Sequence, residues 1–162
     1  MKRILGKCLR IYLKRRINVK EIIKEIKKLR RESEFAYVSS VDGEGYPQIK
    51  AMFAVHEKGD IREHYFSTNT SSARAAQFRA DPKASVYLCD TGSFKGALFT
   101  GTMEVLTDRN IKAELWQEGN EMYYPGGIDD EDYCILKFTA QKVNYYHGLQ
   151  NVTLSIEDLE EE

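Results

Sequence analysis

From residue 35 onward, the chain is a succession of short apolar segments separated by turn signals. Several segments alternate between apolar and polar residues, which is the pattern of strands with one buried face. Turn sequences such as Asp42-Gly43-Glu44-Gly45 separate them. The predicted strands are residues 35–41, 48–55, 61–68, 83–90, 98–106, 133–139 and 142–146. Many short strands with few helices predict a mainly β barrel or sandwich, and we expect the first three strands to form an antiparallel meander.

Four segments have helical spacing instead. The first covers residues 1–17, and the second has an apolar stripe and ends near residues 31–33. Asn18 is predicted to cap this second helix, with Glu21 as the reciprocal partner in a capping box. Ser71 or Ser72 is predicted to cap a third helix that ends near residue 80. A fourth helix is predicted to start after residues 107–108 and to run through Trp116.

The composition is that of a soluble globular protein. A chain of 162 residues, 42% hydrophobic and 30% charged, fits one domain with a substantial core. No segment has the run of about 18 apolar residues that a transmembrane helix needs, so no membrane association is expected. Cys8, Cys89 and Cys134 are far apart and form no CxxC pair, which argues against a metal site and a disulfide framework. Reduced thiols in the cytoplasm are the simplest interpretation.

Charge is distributed unevenly along the chain. Residues 1–31 contain 13 Lys and Arg side chains against two Glu, whereas the remaining residues contain 11 basic and 23 acidic side chains. A basic arm can bind nucleic acid or anionic lipid, but this arm has one aromatic residue and no nucleic-acid-binding motif. We therefore favour a solvated helix against the protein's own acidic surface. The predicted organisation is a basic helical arm (1–17), a folded domain (18–150) and an acidic tail (151–162).

The run from Tyr65 to Arg74 carries the clearest binding signal. A strand leads into consecutive hydroxyl residues, and a helix then starts with a cation in its first turn. A helix N-terminus has unpaired N–H groups and the positive end of the helix dipole, so it attracts anions. Ser72 can donate its hydroxyl hydrogen, and Arg74 can bind a phosphate through two charge-assisted hydrogen bonds. The alternative is that these hydroxyls only cap the helix.

These residues resemble a segment of the pyridoxamine 5'-phosphate oxidase-like FMN-binding split barrels, and specifically of their general stress protein branch. The family order Thr-Asn-x-x-Ser-Arg-Lys is matched by residues 68–74, with Arg74 at the final position. Four further segments match in the same order: 45–52, 81–86, 100–106, and 124–127 together with 136–139. The resemblance covers about residues 19–148 and implies a six- to seven-stranded antiparallel split β-barrel.

The resemblance also implies a cofactor and a way to bind it. FMN would lie at the interface of a homodimer, with its phosphate on Lys50, Ser72 and Arg74. The strand backbone from residue 51 to residue 55, with Ser67 and Thr68, would follow the ribityl chain and the ring edge. Trp116, Tyr123 and Tyr124 could reach the ring from the partner chain, although ordinary packing is favoured for Trp116. The implied cofactor-binding residues are Lys50, Ala51, Met52, Phe53, Ser67, Thr68, Ser72, Arg74, Trp116, Tyr123 and Tyr124.

Three departures from the family pattern bear on the activity. Lys50 stands where the family has Arg, and a lysine grips phosphate less rigidly than a guanidinium. Gly96 stands where the oxidase has a Gln that contacts the flavin ring. The oxidase's terminal Trp- and Arg-containing segment has no match in residues 151–162. FMN binding is therefore expected without pyridoxamine phosphate oxidation.

The sequence leaves three functions open. The first is a flavin-dependent oxidoreductase acting on a small molecule, and the second is a non-catalytic flavin-binding or redox-sensing module. The third is a split barrel that binds haem or a deazaflavin, for which His56, His64 or His147 could ligate the haem iron. No residue of the chain is singled out as a catalytic acid or base.

Overall fold

The computed structural model describes residues 18–53 and 60–160. The predicted basic arm, residues 1–17, lies outside the described residues, as do Val55 and His56. Within the described residues, no helix is long and apolar enough to cross a membrane.

Seven antiparallel strands form one open sheet. They are β1 (Phe35–Val41), β2 (Pro47–Phe53), β3 (Glu63–Asn69), β4 (Lys83–Asp90), β5 (Lys95–Leu106), β6 (Tyr133–His147) and β7 (Gln150–Ser155). The order across the sheet is β2-β1-β4-β5-β6-β3, and β7 pairs with β6 beyond that path. The helices are α1 (Val19–Glu32), α2 (Ala73–Ala80), α3 (Arg109–Glu114) and α4 (Ile156–Glu160). The predicted mainly β, antiparallel class is confirmed.

The predicted meander is wrong. β1 and β2 form the expected hairpin, but β3 pairs with β6 and not with β2. β3 lies at the opposite end of the sheet path from β2, where its Phe66 stands opposite Leu136 of β6 and both side chains belong to the main core. A 2.8 Å ion pair between Lys137 and Glu63 supports the pairing of β3 with β6.

The two strands predicted at 133–139 and 142–146 are one continuous strand, β6. The irregularity between them is a register shift opposite Thr100 and Gly101 on β5. Gly101 is required there, because a Cβ atom would lie 2.0 Å from the Thr139 carbonyl oxygen. The segment assigned to the acidic tail is also partly a strand, since residues 150–155 pair with β6 as β7. Val152, Leu154 and Ile156 alternate with polar residues there, which is a strand signal that the acidic residues after it obscure.

Helix α1 packs its apolar stripe against the sheet. Its buried residues include Ile22, Ile23, Ile26 and Leu29, and together with Phe66, Phe99 and Phe138 they belong to the main core. The predicted capping box is wrong, because the Asn18 side chain makes no capping hydrogen bond. The carboxylate of Glu21 instead accepts from Lys24 one turn along the helix.

Candidate functional site

A cleft of about 910 Å³ opens between the two edge strands of the sheet path, β2 and β3. Residues 50–53 of β2 form one wall, and residues 67–69 of β3 with the start of α2 form another. The end of α1 with the link to β1, residues 31–34, and residues from the segment 117–124 complete it. A volume of this size is within the range of cofactor sites, which runs to about 1,000 Å³.

The N-terminus of α2 forms one end of the cleft. The Ser72 side chain caps the helix by accepting a hydrogen bond from the Ala75 backbone N–H at 3.2 Å, as predicted. Its hydroxyl hydrogen remains available to donate, since a serine hydroxyl can accept and donate together. The first turn of α2 contains no acidic residue. The positive end of the helix therefore faces the cleft without a carboxylate in its own first turn.

Arg74 is the cation closest in sequence to this helix start. Its side chain is half-buried, and its guanidinium donates to the Met52 sulfur at 2.9 Å. Burial lowers the pKa of the Arg74 guanidinium, and no acidic group opposes that effect. Within the described part of the chain, Arg74 has no carboxylate partner. A thioether is a weak acceptor, so the arrangement leaves a positive charge directed at the cleft without a strong partner.

Lys50 supplies a second positive charge from a different element. It lies on β2, opposite Val38 of β1, and is exposed at the cleft. Lys50, Ser72 and Arg74 also line a smaller adjoining cavity of about 200 Å³. The structure thus brings together the three residues that the sequence assigned to one phosphate. A strand cation, a helix cation and a helix N-terminus around one space can bind an anion.

The long wall of the cleft contains the other predicted strand residues. Met52 and Thr68 are nearly buried, whereas Ala51 and Phe53 are exposed. The hydroxyl of Ser67 lies 3.5 Å from the Tyr133 hydroxyl. The wall therefore presents both apolar surface and hydroxyl groups, as a ligand with a ring and a polyol chain would need.

Two of the three predicted aromatic residues line the cleft, and the third does not. Tyr123, with 66% of its surface exposed, and Tyr124, which is buried, line the cleft of their own chain. Burial raises the pKa of Tyr124 to about 12, so its hydroxyl is neutral at physiological pH. Trp116 does not line the cleft but packs edge-on against the Tyr133 ring, with 5.2 Å between the centroids. This is the ordinary packing that the sequence favoured for it. Contact from the partner chain stays a prediction.

Sequence reasoning missed two groups of cleft residues. One is the end of α1 with the link to β1 (Arg31, Glu32, Ser33 and Glu34), and the other precedes the predicted tyrosines (Gln117, Glu118, Gly119 and Asn120). Asn69, the last residue of β3, was also missed. Most of these residues lie in connecting segments, whose placement depends on the packing of the helices and not on any local motif. Asn120 is marked out only by the structure, where its side-chain nitrogen is buried without a hydrogen-bond partner among the described residues.

A match to a family model shows which family the chain belongs to. The family model described as pyridoxamine 5'-phosphate oxidase matches residues 22–147. The chain belongs to the pyridoxamine 5'-phosphate oxidase family. This agrees with the resemblance seen in the motifs and with the open antiparallel sheet. No curated protein matches the chain.

Several solved structures share the fold over most of this chain. A protein related to general stress protein 26, from Clostridium acetobutylicum, is 39% identical, with a TM-score of 0.79 over 88% of this chain and 99% of that one. An FMN-binding protein from Nostoc punctiforme is 15% identical, with a TM-score of 0.63 over 84% and 88%. A heme-binding protein from Mycobacterium smegmatis is 14% identical, with a TM-score of 0.64 over 83% of this chain and 58% of that one.

Proposed function

We propose that this chain binds FMN in the cleft between β2 and β3 and acts as a flavin-dependent oxidoreductase on a small molecule. The observation that carries the proposal is the cation pair Lys50 and Arg74 at the N-terminus of α2, with Arg74 half-buried and facing no carboxylate in the described structure. A half-buried cation without a strong partner is costly, and a dianionic phosphate would remove that cost.

The residues of the cleft fit the rest of FMN. Ser67 and Thr68 offer hydroxyl groups beside the phosphate end, where the ribityl hydroxyls would lie. Met52, Phe53 and Tyr123 offer apolar and aromatic surface for the ring. When bound, FMN supplies the electron or hydride transfer itself. The chain's own residues bind and orient the flavin, and Tyr124, whose pKa is raised by burial, remains a neutral hydrogen-bonding group.

The proposal is tested by loading the purified protein with FMN or riboflavin and then adding electron donors. We expect a flavin absorption spectrum, a preference for FMN over riboflavin, and bleaching of the flavin by NADH or NADPH under anaerobic conditions. Binding of FMN without reduction by either donor would favour the non-catalytic flavin module. Equal affinity for FMN and riboflavin would contradict the phosphate site.

A haem-binding function has less support from the cleft. None of the described cleft residues is a histidine. His64 is buried and packs against the rings of Phe99 and Phe138, with centroids 4.6 Å and 5.9 Å away. His147 lies at the exposed end of β6, and His56 lies outside the described residues. A Soret band after incubation with hemin, with no uptake of FMN, would overturn the flavin proposal.

We also propose that the protein is a homodimer with FMN at the interface, formed by the outer face of the sheet. This face is exposed and apolar: the tilted rings of Phe35 and Phe53 have centroids 4.8 Å apart, and Ile49 and Leu98 lie on the same side of the sheet. The face runs into the cleft, because Phe53 lines both. Contiguous apolar surface of this kind marks an interaction site, and a second copy placed there would lie beside the flavin.

Replacing Leu98 by Lys tests the dimer. Leu98 lies on the outer face away from the cleft, so a charge there should dissociate the dimer without touching the phosphate site. We expect sedimentation to show monomers and FMN affinity to fall. Leu149→Lys, at an exposed position beyond β6, is the matched control and should leave the dimer intact. A wild-type monomer with full FMN occupancy would contradict the proposal.

A further inference from the structure

We infer that Asp132 is a positioning residue that sets the geometry of the phosphate-binding loop, residues 69–72. The inference rests on the proposed function, since it concerns the same site. Asp132 lies just before β6 and is not among the residues that line the cleft. It therefore acts through the loop and not by contact with the ligand.

Three hydrogen bonds join the Asp132 carboxylate to the loop. One oxygen accepts from the Ser71 backbone N–H at 2.7 Å. The other accepts from the Asn69 side-chain nitrogen at 2.8 Å and from the Ser71 hydroxyl at 3.0 Å. These same bonds hold the pKa of Asp132 below its ordinary value, the Ser71 backbone bond being the largest cause. The residue is therefore a carboxylate at neutral pH and fixes both the backbone and the side chains of the loop.

The loop carries the phosphate site at its two ends. Asn69 lines the cleft as the last residue of β3, and Ser72 lines it as the cap of α2. Between them, the Thr70 N–H donates to the Asp132 carbonyl oxygen at 2.7 Å, and the Ser72 N–H donates to the Asn69 carbonyl oxygen at 3.1 Å. The direction in which Ser72 and the helix start face the cleft thus depends on a loop that Asp132 holds at three consecutive residues.

A second carboxylate connects this loop to the opposite wall of the cleft. Asp130 accepts from the Asp132 backbone N–H at 2.9 Å with one oxygen and from the Gly126 N–H at 3.0 Å with the other. Gly126 follows the cleft residue Tyr124 closely in the chain. The phosphate loop and the aromatic wall therefore share one continuous hydrogen-bonded support.

An amide cannot replace the carboxylate in this arrangement. Both oxygens of Asp132 face donors, whereas the carboxamide of an asparagine has one acceptor oxygen and one NH₂ group. In either orientation of that carboxamide, its NH₂ group would face the N–H of Ser71 or the NH₂ of Asn69. Asp132→Asn therefore breaks the support while changing the shape of the side chain very little.

Simple electrostatics predicts a change in FMN affinity of the opposite sign for Asp132→Asn. Removing a negative charge near a phosphate site should strengthen the binding of a dianion. A positioning role predicts weaker binding, because the loop loses its support. The direction of the change in FMN affinity therefore separates the two explanations.

The test is a titration of FMN and of riboflavin into wild type, Asp132→Asn and the control Glu131→Gln. Glu131 is the exposed neighbour, and its replacement removes one charge without touching the loop. We expect Asp132→Asn to weaken FMN binding about 10-fold, the lower end of what losing a supporting partner costs at metal sites. Riboflavin binding should stay within about twofold, since riboflavin has no phosphate.

A second variant protects the test against misfolding. Ser71→Ala removes one donor to Asp132 at an exposed position and should lower FMN affinity in the same direction by a smaller factor. Unchanged or tighter FMN binding in both variants would overturn the inference, and so would equal losses for FMN and riboflavin. If wild type itself does not prefer FMN to riboflavin, the proposed function fails first.

Discussion

At the scale of single residues, the start of α2 at the cleft is the part that local chemistry predicts best. Ser72 caps α2 and Arg74 stands in its first turn because capping and helix periodicity act over a few neighbouring residues. Lys50 could be placed with them only through the family resemblance, because it comes from a separate strand. Asp132 could not be predicted, because its role depends on the pairing of β3 with β6, which local pattern does not determine.

The ion pair of Glu63 with Lys137 predicts how stability depends on acidity. Hydrogen bonding to Lys137 is the largest cause that holds the pKa of Glu63 below its ordinary 4.5. A carboxyl whose pKa is lower in the folded state stabilises that state above pH 4.5, and the effect is lost as pH falls through the folded value. We expect Glu63→Gln to lose less stability than wild type between pH 6 and pH 3 in urea unfolding. An equal loss in both proteins would show that the pair does not contribute.

At the scale of elements, the sequence predicts which segments are strands better than it predicts how they pair. The sequence predicts seven strands, and all of them overlap observed strands. Two of the predicted strands fall within β6, and β7 has no predicted counterpart. Alternation and turn residues act locally, and they fix each strand with its hairpin. The partner of β3 lies about 70 residues away on β6, and only packing of the whole sheet selects it. The same holds for the cleft residues between α1 and β1.

Helix α1 supports the cleft through its packing on the sheet. Ile26 is fully buried in the main core, and the residues that follow the helix line the cleft. We expect Ile26→Ala to lower the free energy of unfolding by about 2–5 kcal/mol, as large-to-small core changes do. Lys20→Ala, on the exposed side of the same helix, should change it by less than about 0.5 kcal/mol. Equal effects in urea unfolding would contradict the assigned packing.

At the scale of the whole molecule, the site is a gap between the two ends of one sheet path. β2 and β3 are far apart in the order of strands, yet both line the cleft with the start of α2. All the described cleft residues lie at or after position 31. The proposed binding site is thus built from the folded domain, while the basic arm lies outside the described residues.

The arm should therefore be dispensable for flavin binding. A chain that starts at Asn18 removes residues 1–17 and keeps every motif that matches the family. We expect it to fold, by circular dichroism, and to bind FMN within about twofold of the full chain. A truncated protein that folds but takes up no FMN would place the arm in the site.

Lys50 and Arg74 are proposed to hold a flavin phosphate, and Arg74→Ala tests this role. Hydrogen bonds to charged groups contribute roughly 1.5–3 kcal/mol, so FMN affinity should fall about 10- to 150-fold at 1.4 kcal/mol per decade. Riboflavin affinity should change little, since riboflavin has no phosphate. Lys83→Ala removes an exposed cation just beyond α2 and should alter neither. Flavin fluorescence titrations that show equal losses for FMN and riboflavin in Arg74→Ala, or no loss for either, would show that Arg74 does not bind the phosphate.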